Sequence, residues 1–268
     1  MKRFHPLASL AIAFSRYSRI PMPQFVWSEE DFGASLAFFP GVGLVIALLA
    51  VSLNGFLTRV QAPVFVQTCF LICLPLAVTG GFHVDGYMDT ADARSSYGDR
   101  EKKLAILHDP RAGAFAVIGL LRMGLFYAGS LYLLLAKGRG FYSEGWIAAW
   151  SAGFVVARAL AGLGVCLLPV ARQEGMLYEE ARSTRHYPGA IRGSLALTVA
   201  AALGAAVYWD RLAGMVMIGA CAASLGYFLR VCRREFGGIT GDLAGYFVVI
   251  CEVNMTVGLA AVPLMGAF

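Results

Sequence analysis

The sequence predicts an all-α membrane protein, a polytopic bundle of about seven transmembrane helices preceded by an interfacial helix. Of its 268 residues, 58% are apolar and only 15% are charged, and the mean hydropathy is +0.66. Soluble domains carry about 25% charged residues, so this composition excludes a disordered chain and disfavours an ordinary soluble enzyme. The apolar residues collect in long blocks, and the alternation typical of a membrane barrel is absent, which favours helices.

Seven apolar blocks define the predicted spans, because about 20 apolar residues in a helix cross the hydrocarbon core of a bilayer. Only Asp210 and Arg211 separate the fifth block from the sixth, which predicts a tight helical hairpin. The connections are short, so residues 1–268 are interpreted as a single membrane domain. The predicted spans are 34–56, 62–82, 113–136, 145–169, 193–209, 212–229 and 244–268.

Lys and Arg are distributed unevenly between the two sets of loops. The N-terminal stretch and the loops after the second, fourth and sixth spans hold sixteen of them, against four on the other side. The positive-inside rule then places the N-terminus in the cytoplasm and the C-terminus outside. The expected location is the cell (inner) membrane. The apolar run 7–14 leads into Arg16 and Arg19 without a cleavage site, which favours an interfacial helix over a signal peptide. No basic face with interleaved aromatic residues indicates a nucleic-acid partner.

Carboxylates are concentrated in the predicted cytoplasmic loop 83–112, which holds six of the seventeen Asp and Glu residues. Asp85, Asp89 and Asp92 stand at i, i+4 and i+7, one face of a helix, and follow the second span through a Gly80-Gly81 hinge. Three like charges repel each other unless a cation lies among them, and carboxylate oxygens suit Mg²⁺ or Mn²⁺. This pattern favours a metal site over the alternative, a solvated acidic face balanced by nearby Arg and Lys residues.

A second short helix is predicted after the acidic one. Asp99 can cap a helix over residues 100–108, and Pro110 ends it. Asp109 and Arg111 then lie at a turn before the third span. A phosphate-bearing substrate would suit them, because the guanidinium fork of Arg donates bidentately to phosphate. For Arg111, a lipid-headgroup anchor is an equal alternative.

Charged residues inside membrane spans are costly and usually functional. The predicted spans contain Arg122, Arg158 and Glu252, and an Arg–Glu pair within the bundle is the structural alternative for Glu252. Asp242 lies at the inner mouth of the last span. His83 precedes the acidic trio by two residues and is interpreted as a hydrogen-bond donor to a substrate rather than a metal ligand.

Four stretches carry motifs that occur in the same order in one known family. The most specific reads Gly-Gly-x-His-x-Asp-Gly-x-x-Asp-Thr-x-Asp and runs from Gly80 to Asp92. The other three are 18–23, 106–113 and 237–242, the last followed by Glu252. Together they resemble the motifs of the cobalamin synthase family, the adenosylcobinamide-GDP ribazoletransferases. The family usually has Gly after the third Asp, where this chain has Ala93 and Arg94.

The resemblance implies a membrane phosphotransferase that joins α-ribazole, or its 5′-phosphate, to adenosylcobinamide-GDP. GMP is released, and adenosylcobalamin or its 5′-phosphate is formed. The resemblance also implies Mg²⁺, with Mn²⁺ as a substitute, to neutralise the diphosphate. Membrane lipid surrounds the protein, and an oligomer is compatible with the sequence.

The resemblance also implies roles for individual residues. Asp89 acts in catalysis as well as in metal binding, and Asp109 is expected to accept the proton of the attacking hydroxyl. Arg111 is expected to hold the leaving phosphate. The full set comprises the metal ligands Asp85, Asp89 and Asp92, the catalytic residues Asp109 and Asp89, and the substrate-binding residues His83, Arg111, Asp242 and Glu252, of which the last two are alternatively ligands of a second metal.

Two other functions fit parts of the pattern less well. CDP-alcohol phosphotransferases also carry an Asp-rich helix, but their order Asp-x-x-Asp-Gly-x-x-Ala-Arg is scrambled here, since Gly86 follows the first Asp. A cation-coupled transporter would place its carboxylates near the middle of the membrane, on broken helices in paired repeats. Here the acidic trio lies at the membrane edge, and no repeat is evident.

Overall fold

Helices account for all the regular structure in the described part of the chain. The computed structural model describes residues 5–24, 26–137 and 144–265, and these ranges contain a single isolated bridge, Val170 to Ile239, and no strand. The helices are α1 Pro6–Tyr17, α2 Glu29–Ala34, α3 Phe39–Arg59, α4 Val64–Thr79, α5 Phe82–Ser95, α6 Arg100–Ile106, α7 Ala114–Lys137, α8 Glu144–Leu167, α9 Met176–Ser183, α10 Pro188–Trp209, α11 Arg211–Val231 and α12 Gly241–Met265.

The membrane spans confirm the predicted polytopic bundle with one change. Six helical segments of the described chain are long and apolar enough to cross a membrane: α3 with the helical turns before it, α7, α8, α10, α11 and α12. The predicted second span, 62–82, is instead the 16-residue α4, which bends by 94° into α5. A seventh span therefore exists only as this broken pair. The last predicted residues, 266–268, lie outside the described residues.

The hairpin predicted around Asp210 is confirmed. α10 ends at Trp209 and α11 begins at Arg211, and the Asp210 carboxylate accepts a hydrogen bond from the backbone N–H of Ala213 at 2.9 Å. Both helices are longer than predicted. α10 begins at Pro188 because a helix continues through polar residues where it leaves the apolar layer.

The centre of the bundle is α8, which packs against α3, α10 and α12. Glycine allows the closest of these approaches: a Cβ on Gly43 of α3 would lie 2.3 Å from the carbonyl oxygen of Phe154 in α8. In lipid, helices associate through such tight van der Waals contacts, since burial of apolar surface gains little there. The α3–α8 pair is thus held by close backbone packing.

The N-terminal helix α1 packs onto the bundle instead of standing apart from it. One face, with Ile12, Ala13, Phe14 and Tyr17, is buried, whereas Leu7 on the other side is 76% exposed. An exposed apolar residue beside a buried face suits a helix at a membrane surface. Its position in the interface, like the cytoplasmic orientation, stays a prediction.

Two loops are joined on the side of the bundle where α12 begins. Ala171 N–H donates to the carbonyl of Ile239 at 2.9 Å, and Ile239 N–H donates to the carbonyl of Pro169 at 2.8 Å. This pairing ties the segment after α8 to the segment before α12. As a result, Arg172 and Asp242 line the same cavity.

Candidate active site

The Gly80-Gly81 bend places the acidic helix against the bundle. Both glycines adopt left-handed backbone conformations, with φ of 71° and 82°. A Cβ on Gly80 would lie 2.3 Å from Nε of Arg19, and Arg19 N–H donates to the carbonyl of Val78 at 2.8 Å. Glycine adopts this conformation without strain and leaves room for the Arg side chain. The N-terminal motif and the acidic motif therefore meet at the bend.

The acidic trio lies on a helix, as predicted, and a fourth carboxylate joins it. α5 packs against α12 so closely that a Cβ on Gly86 would lie 2.8 Å from the backbone oxygen of Asp242. Burial, then the charges of Asp85, Asp242 and Asp92, raise the pKa of Asp89 to about 6. The ionised form of Asp89 is thus disfavoured first by its loss of water contact and then by its acidic neighbours.

Asp92 has a structural contact in addition to its place in the trio. Its Oδ1 accepts a hydrogen bond from the backbone N–H of Ala116 at 3.3 Å, at the start of α7. A Cβ on Gly113 would lie 2.2 Å from the Asp92 carboxylate oxygens. The motif 106–113 is thus in contact with the acidic helix, and a carboxylate at a helix N-terminus is electrostatically stabilised.

The four carboxylates are suitable ligands for a divalent cation. In the part of the chain that the structure describes, no group of three or more Asp, Glu, His or Cys side chains is arranged so that it could hold a metal ion. The oxygen donors are nevertheless those that Mg²⁺ prefers, and their mutual repulsion would be relieved by a cation that neutralises them. The metal ligands therefore stay a prediction, and one oxygen of Asp92 already accepts a hydrogen bond from α7.

Asp109 and Arg111 bind each other at the surface. Arg111 donates to the Asp109 carboxylate from its backbone N–H at 3.0 Å and from Nε and Nη2 at 2.9 Å each. These hydrogen bonds lower the pKa of Asp109 to about 2, and the Arg111 side chain is 86% exposed. In this arrangement the carboxylate is a weak base, so the predicted role of Asp109 requires Arg111 to move to another partner.

A cavity of about 270 Å³ opens beside Asp242. It is bounded by α1, the start of α5, the end of α6 and the joined loops before α9 and α12. Its basic side chains are Arg16, Arg172 and His108, and its acidic ones include Glu180. Glu180 accepts from Arg16 at 2.6 Å and from the Tyr17 hydroxyl at 2.5 Å. Of the cations, Arg16 is thus already neutralised by an acidic partner.

His83 lies between this cavity and a smaller one deeper in the bundle, and it lines both. Its ring stacks on Phe39, with 5.7 Å between centroids, and meets Phe82 edge-on. Burial, and then the charge of Arg158, lower the pKa of His83 well below its ordinary value, so the imidazole is neutral. Its Nε2 has no hydrogen-bond partner among the described residues, which leaves it available to a ligand.

Glu252 is not near the acidic face. Its carboxylate accepts a hydrogen bond from Arg158 Nη1 at 2.7 Å, and Arg158 also donates to the carbonyl of Phe154 at 2.8 Å. The intrabundle Arg–Glu pair, the structural alternative considered from sequence, is therefore present. Asp242 and Glu252 are ten residues apart on one helix, about 15 Å along its axis, so they cannot share a metal ion. A role for Glu252 in substrate placement stays a prediction.

An ion-pair network that sequence reasoning missed holds the far end of α5. Arg94 donates to Glu235 at 2.9 Å, Lys103 donates to the same carboxylate at 2.9 Å, and Arg94 also contacts the Tyr227 and Tyr246 hydroxyls. From the sequence, Arg94 was recognised only as a position where the chain differs from the family motif. Its partner is 141 residues away along the chain, so no local pattern could identify it.

The glycine contact between α5 and α12 gives a direct test of this geometry. We expect Gly86→Ala to lower the rate constant of the catalysed reaction by about 10- to 100-fold, because misplacing reacting groups by an ångström costs that much. Gly193→Ala is the matched control, since its Cβ enters open space on α10. Turnover and melting temperature in detergent are measured for both. A fully active Gly86→Ala enzyme would contradict the assigned contact.

The chain is similar to one family of known proteins along most of its length. Residues 9–260 match the family model described as cobalamin-5-phosphate synthase. A protein of Lachnoclostridium phytofermentans named adenosylcobinamide-GDP ribazoletransferase is 36% identical to this chain. The similarity covers 97% of this chain and 95% of the length of that protein. A protein of Pseudomonas entomophila with the same name is 35% identical, over 87% of this chain and 90% of the length of that protein. No solved structure matches. On this similarity, the chain belongs to the cobalamin-5-phosphate synthase family.

Proposed function

We propose that this protein joins α-ribazole, or its 5′-phosphate, to adenosylcobinamide-GDP and releases GMP. The observation that carries the proposal is the cluster of Asp85, Asp89, Asp92 and Asp242, assembled from two motifs that are 150 residues apart. This cluster lies in a chain matched to the family over residues 9–260. Breaking a diphosphate in a phosphoryl transfer requires a site that neutralises the negative charge of the phosphates, and such a cluster can provide it by holding a metal ion.

In the proposed reaction, the ribose 3′-hydroxyl oxygen attacks the phosphorus of the phosphoryl group attached to cobinamide. A new P–O bond forms, the P–O bond to GMP breaks, and GMP leaves with the bridging oxygen. The hydroxyl proton passes to a carboxylate. A Mg²⁺ ion held by Asp85, Asp89 and Asp242, with Asp92 beside them, would neutralise the charge of the diphosphate.

Arg111 and Asp109 are proposed to act as a pair that separates when substrate arrives. A guanidinium fork binds phosphate at least as well as carboxylate, so the leaving phosphate can draw Arg111 away. Losing the two side-chain hydrogen bonds raises the pKa of Asp109 toward its ordinary value. Asp109 can then accept the proton of the attacking hydroxyl, as expected from the sequence.

The cavity beside Asp242 is proposed to receive the nucleotide portion of a substrate. Its volume of about 270 Å³ is far smaller than a corrin ring, which must therefore stay outside it. Arg172 and His108 supply donors for phosphate oxygens. We also propose that this face is cytoplasmic, because sixteen cations lie on this set of loops against four on the other. The membrane is proposed to be the inner one.

The test is GMP release by detergent-solubilised protein supplied with adenosylcobinamide-GDP, α-ribazole and Mg²⁺. We expect GMP only when both substrates and the metal are present, and we expect EDTA to abolish its release. Mn²⁺ should restore activity, as hard oxygen ligands accept either ion. The absence of GMP in the complete mixture would refute the proposed activity. GMP release without α-ribazole would make the protein a hydrolase.

A further inference from the structure

A second cavity, of about 130 Å³, lies inside the bundle between α4, α5, α7, α8 and α12. Most of its wall is aliphatic, with Ile72 and Leu76 from α4 and Leu120 and Met123 from α7. The reaction proposed above does not use it. It is nevertheless connected to the active site, because His83 lines this cavity as well as the larger one.

Three polar groups on the wall of the cavity have no hydrogen-bond partner within the described ranges. They are Nε2 of His83, the hydroxyl of Tyr127 and Nε of Arg158. These side chains are 5%, 7% and 1% exposed. The indole N–H of Trp150 lies near Tyr127 but donates to Thr256 at 3.1 Å. A buried polar group without a partner costs about 1–3 kcal/mol, so their coincidence in one cavity indicates a ligand that supplies the missing hydrogen bonds.

We propose that this cavity binds the aromatic base of the ribazole substrate, an inference that rests on the proposed function. A benzimidazole is flat and largely apolar, and its one unsubstituted ring nitrogen accepts a hydrogen bond. The aliphatic walls suit its rings, and the Tyr127 hydroxyl and Arg158 N–H are donors for the nitrogen. A dry protein cavity of about 150 Å³ holds benzene, so this cavity of about 130 Å³ admits one ring of the base, with the rest of the base toward the larger cavity, and excludes the corrin.

The position of the cavity is compatible with attack by the ribose 3′-hydroxyl in the proposed reaction. His83 and Asp242 both line the larger cavity, so a base held behind His83 leaves its ribose on the side of Asp242. An anion is disfavoured, because Glu252 already neutralises Arg158 at 2.7 Å. A lipid acyl chain would leave all three polar groups without partners. Ordered water would satisfy them, and the experiment below separates water from the base.

A glycine on α7 allows the cavity to be filled without disturbing the fold. Gly124 lines the cavity, and a Cβ added to it meets no atom within 4 Å. Gly124→Val therefore places methyl groups in the cavity. Gly129→Val is the matched control: it lies on the same helix, its Cβ also enters open space, and it does not line the cavity.

The experiment measures binding of 5,6-dimethylbenzimidazole alone by calorimetry, and the KM for each substrate by GMP release. We expect Gly124→Val to weaken base binding and to raise the KM for α-ribazole by about tenfold, a usual penalty for a pocket that is too small. The KM for adenosylcobinamide-GDP should not change, and Gly129→Val should match wild type in every measurement.

Tyr127→Phe tests the hydrogen bond separately from the shape of the cavity. We expect it to weaken base binding by about fivefold, the effect of one lost hydrogen bond, at unchanged melting temperature. Base binding by Gly124→Val equal to that of wild type would overturn the proposal and leave a cavity filled with water. Absence of GMP release by wild type, with base binding that still depends on residue 124, would refute the transferase activity and support the aromatic site.

Discussion

Asp89→Asn is expected to lower the rate of GMP release by about a thousandfold or more, because a metal that stabilises transition-state charge contributes several kcal/mol. Asn has nearly the same shape as Asp but lacks the negative charge that holds a divalent cation. Burial, and then the neighbouring carboxylates, also raise the pKa of Asp89 to about 6. A cation bound there would relieve the part of this penalty that comes from the acidic neighbours.

The same substitution should leave the fold intact or make it more stable. At pH 8 and without metal, the native state carries an ionised Asp89 whose charged form is disfavoured by burial and by its acidic neighbours. A carboxyl group whose pKa is higher in the folded state than in the unfolded state destabilises the folded protein at pH values above the folded-state pKa. Neutral Asn removes this penalty, so the melting temperature measured in EDTA should equal or exceed that of wild type.

Asp99→Asn is the matched control for this experiment. It makes the same chemical change within the same loop, at the cap of α6, where the side chain accepts from Lys102 N–H at 3.0 Å. Asn caps a helix as well as Asp does, so wild-type turnover is expected. If Asp89→Asn turns over at the wild-type rate, the metal assignment is wrong. If it loses activity only because it unfolds, the melting curve will show this.

The local parts of the site could be predicted from the sequence. Helical spacing put Asp85, Asp89 and Asp92 on one face, and the glycine pair predicted a bend before them. Both are confirmed, because spacing along a helix and the left-handed preference of glycine depend on neighbouring residues alone. The predicted span 62–82 corresponds to α4, which is shorter and bends by 94° into α5. Hydropathy measures apolar length and contains no information on a sharp turn at its end.

The parts of the site that depend on long-range packing could not be predicted. The approach of Gly86 to Asp242 is decided by how α5 and α12 cross, and the partner of Arg94, Glu235, lies four residues after the end of α11. The two cavities likewise form between helices that are distant in the chain. The turn that binds Arg111 to Asp109 is local, but sequence alone did not show that the two side chains would bind each other before any substrate.

The buried pair of Arg158 and Glu252 is expected to have the largest effect on stability. Arg158 is 1% exposed and the Glu252 side chain 12% exposed, with 2.7 Å between the charged atoms. Arg158→Met leaves the Glu252 carboxylate without its cation inside the bundle. Removing one partner of a buried pair costs about 3–5 kcal/mol, so we expect a large fall in the melting temperature in detergent.

The double substitution Arg158→Met with Glu252→Met separates stability from function. Replacing both charges by apolar side chains of similar length is often neutral or stabilising, so the double variant should recover most of the melting temperature lost by Arg158→Met. If Glu252 or Arg158 helps to place substrate, the recovered protein should still show an increased KM for α-ribazole. A double variant with wild-type stability and wild-type KM values would mean that the pair only supports the fold. It would also remove Glu252 from the substrate-binding residues.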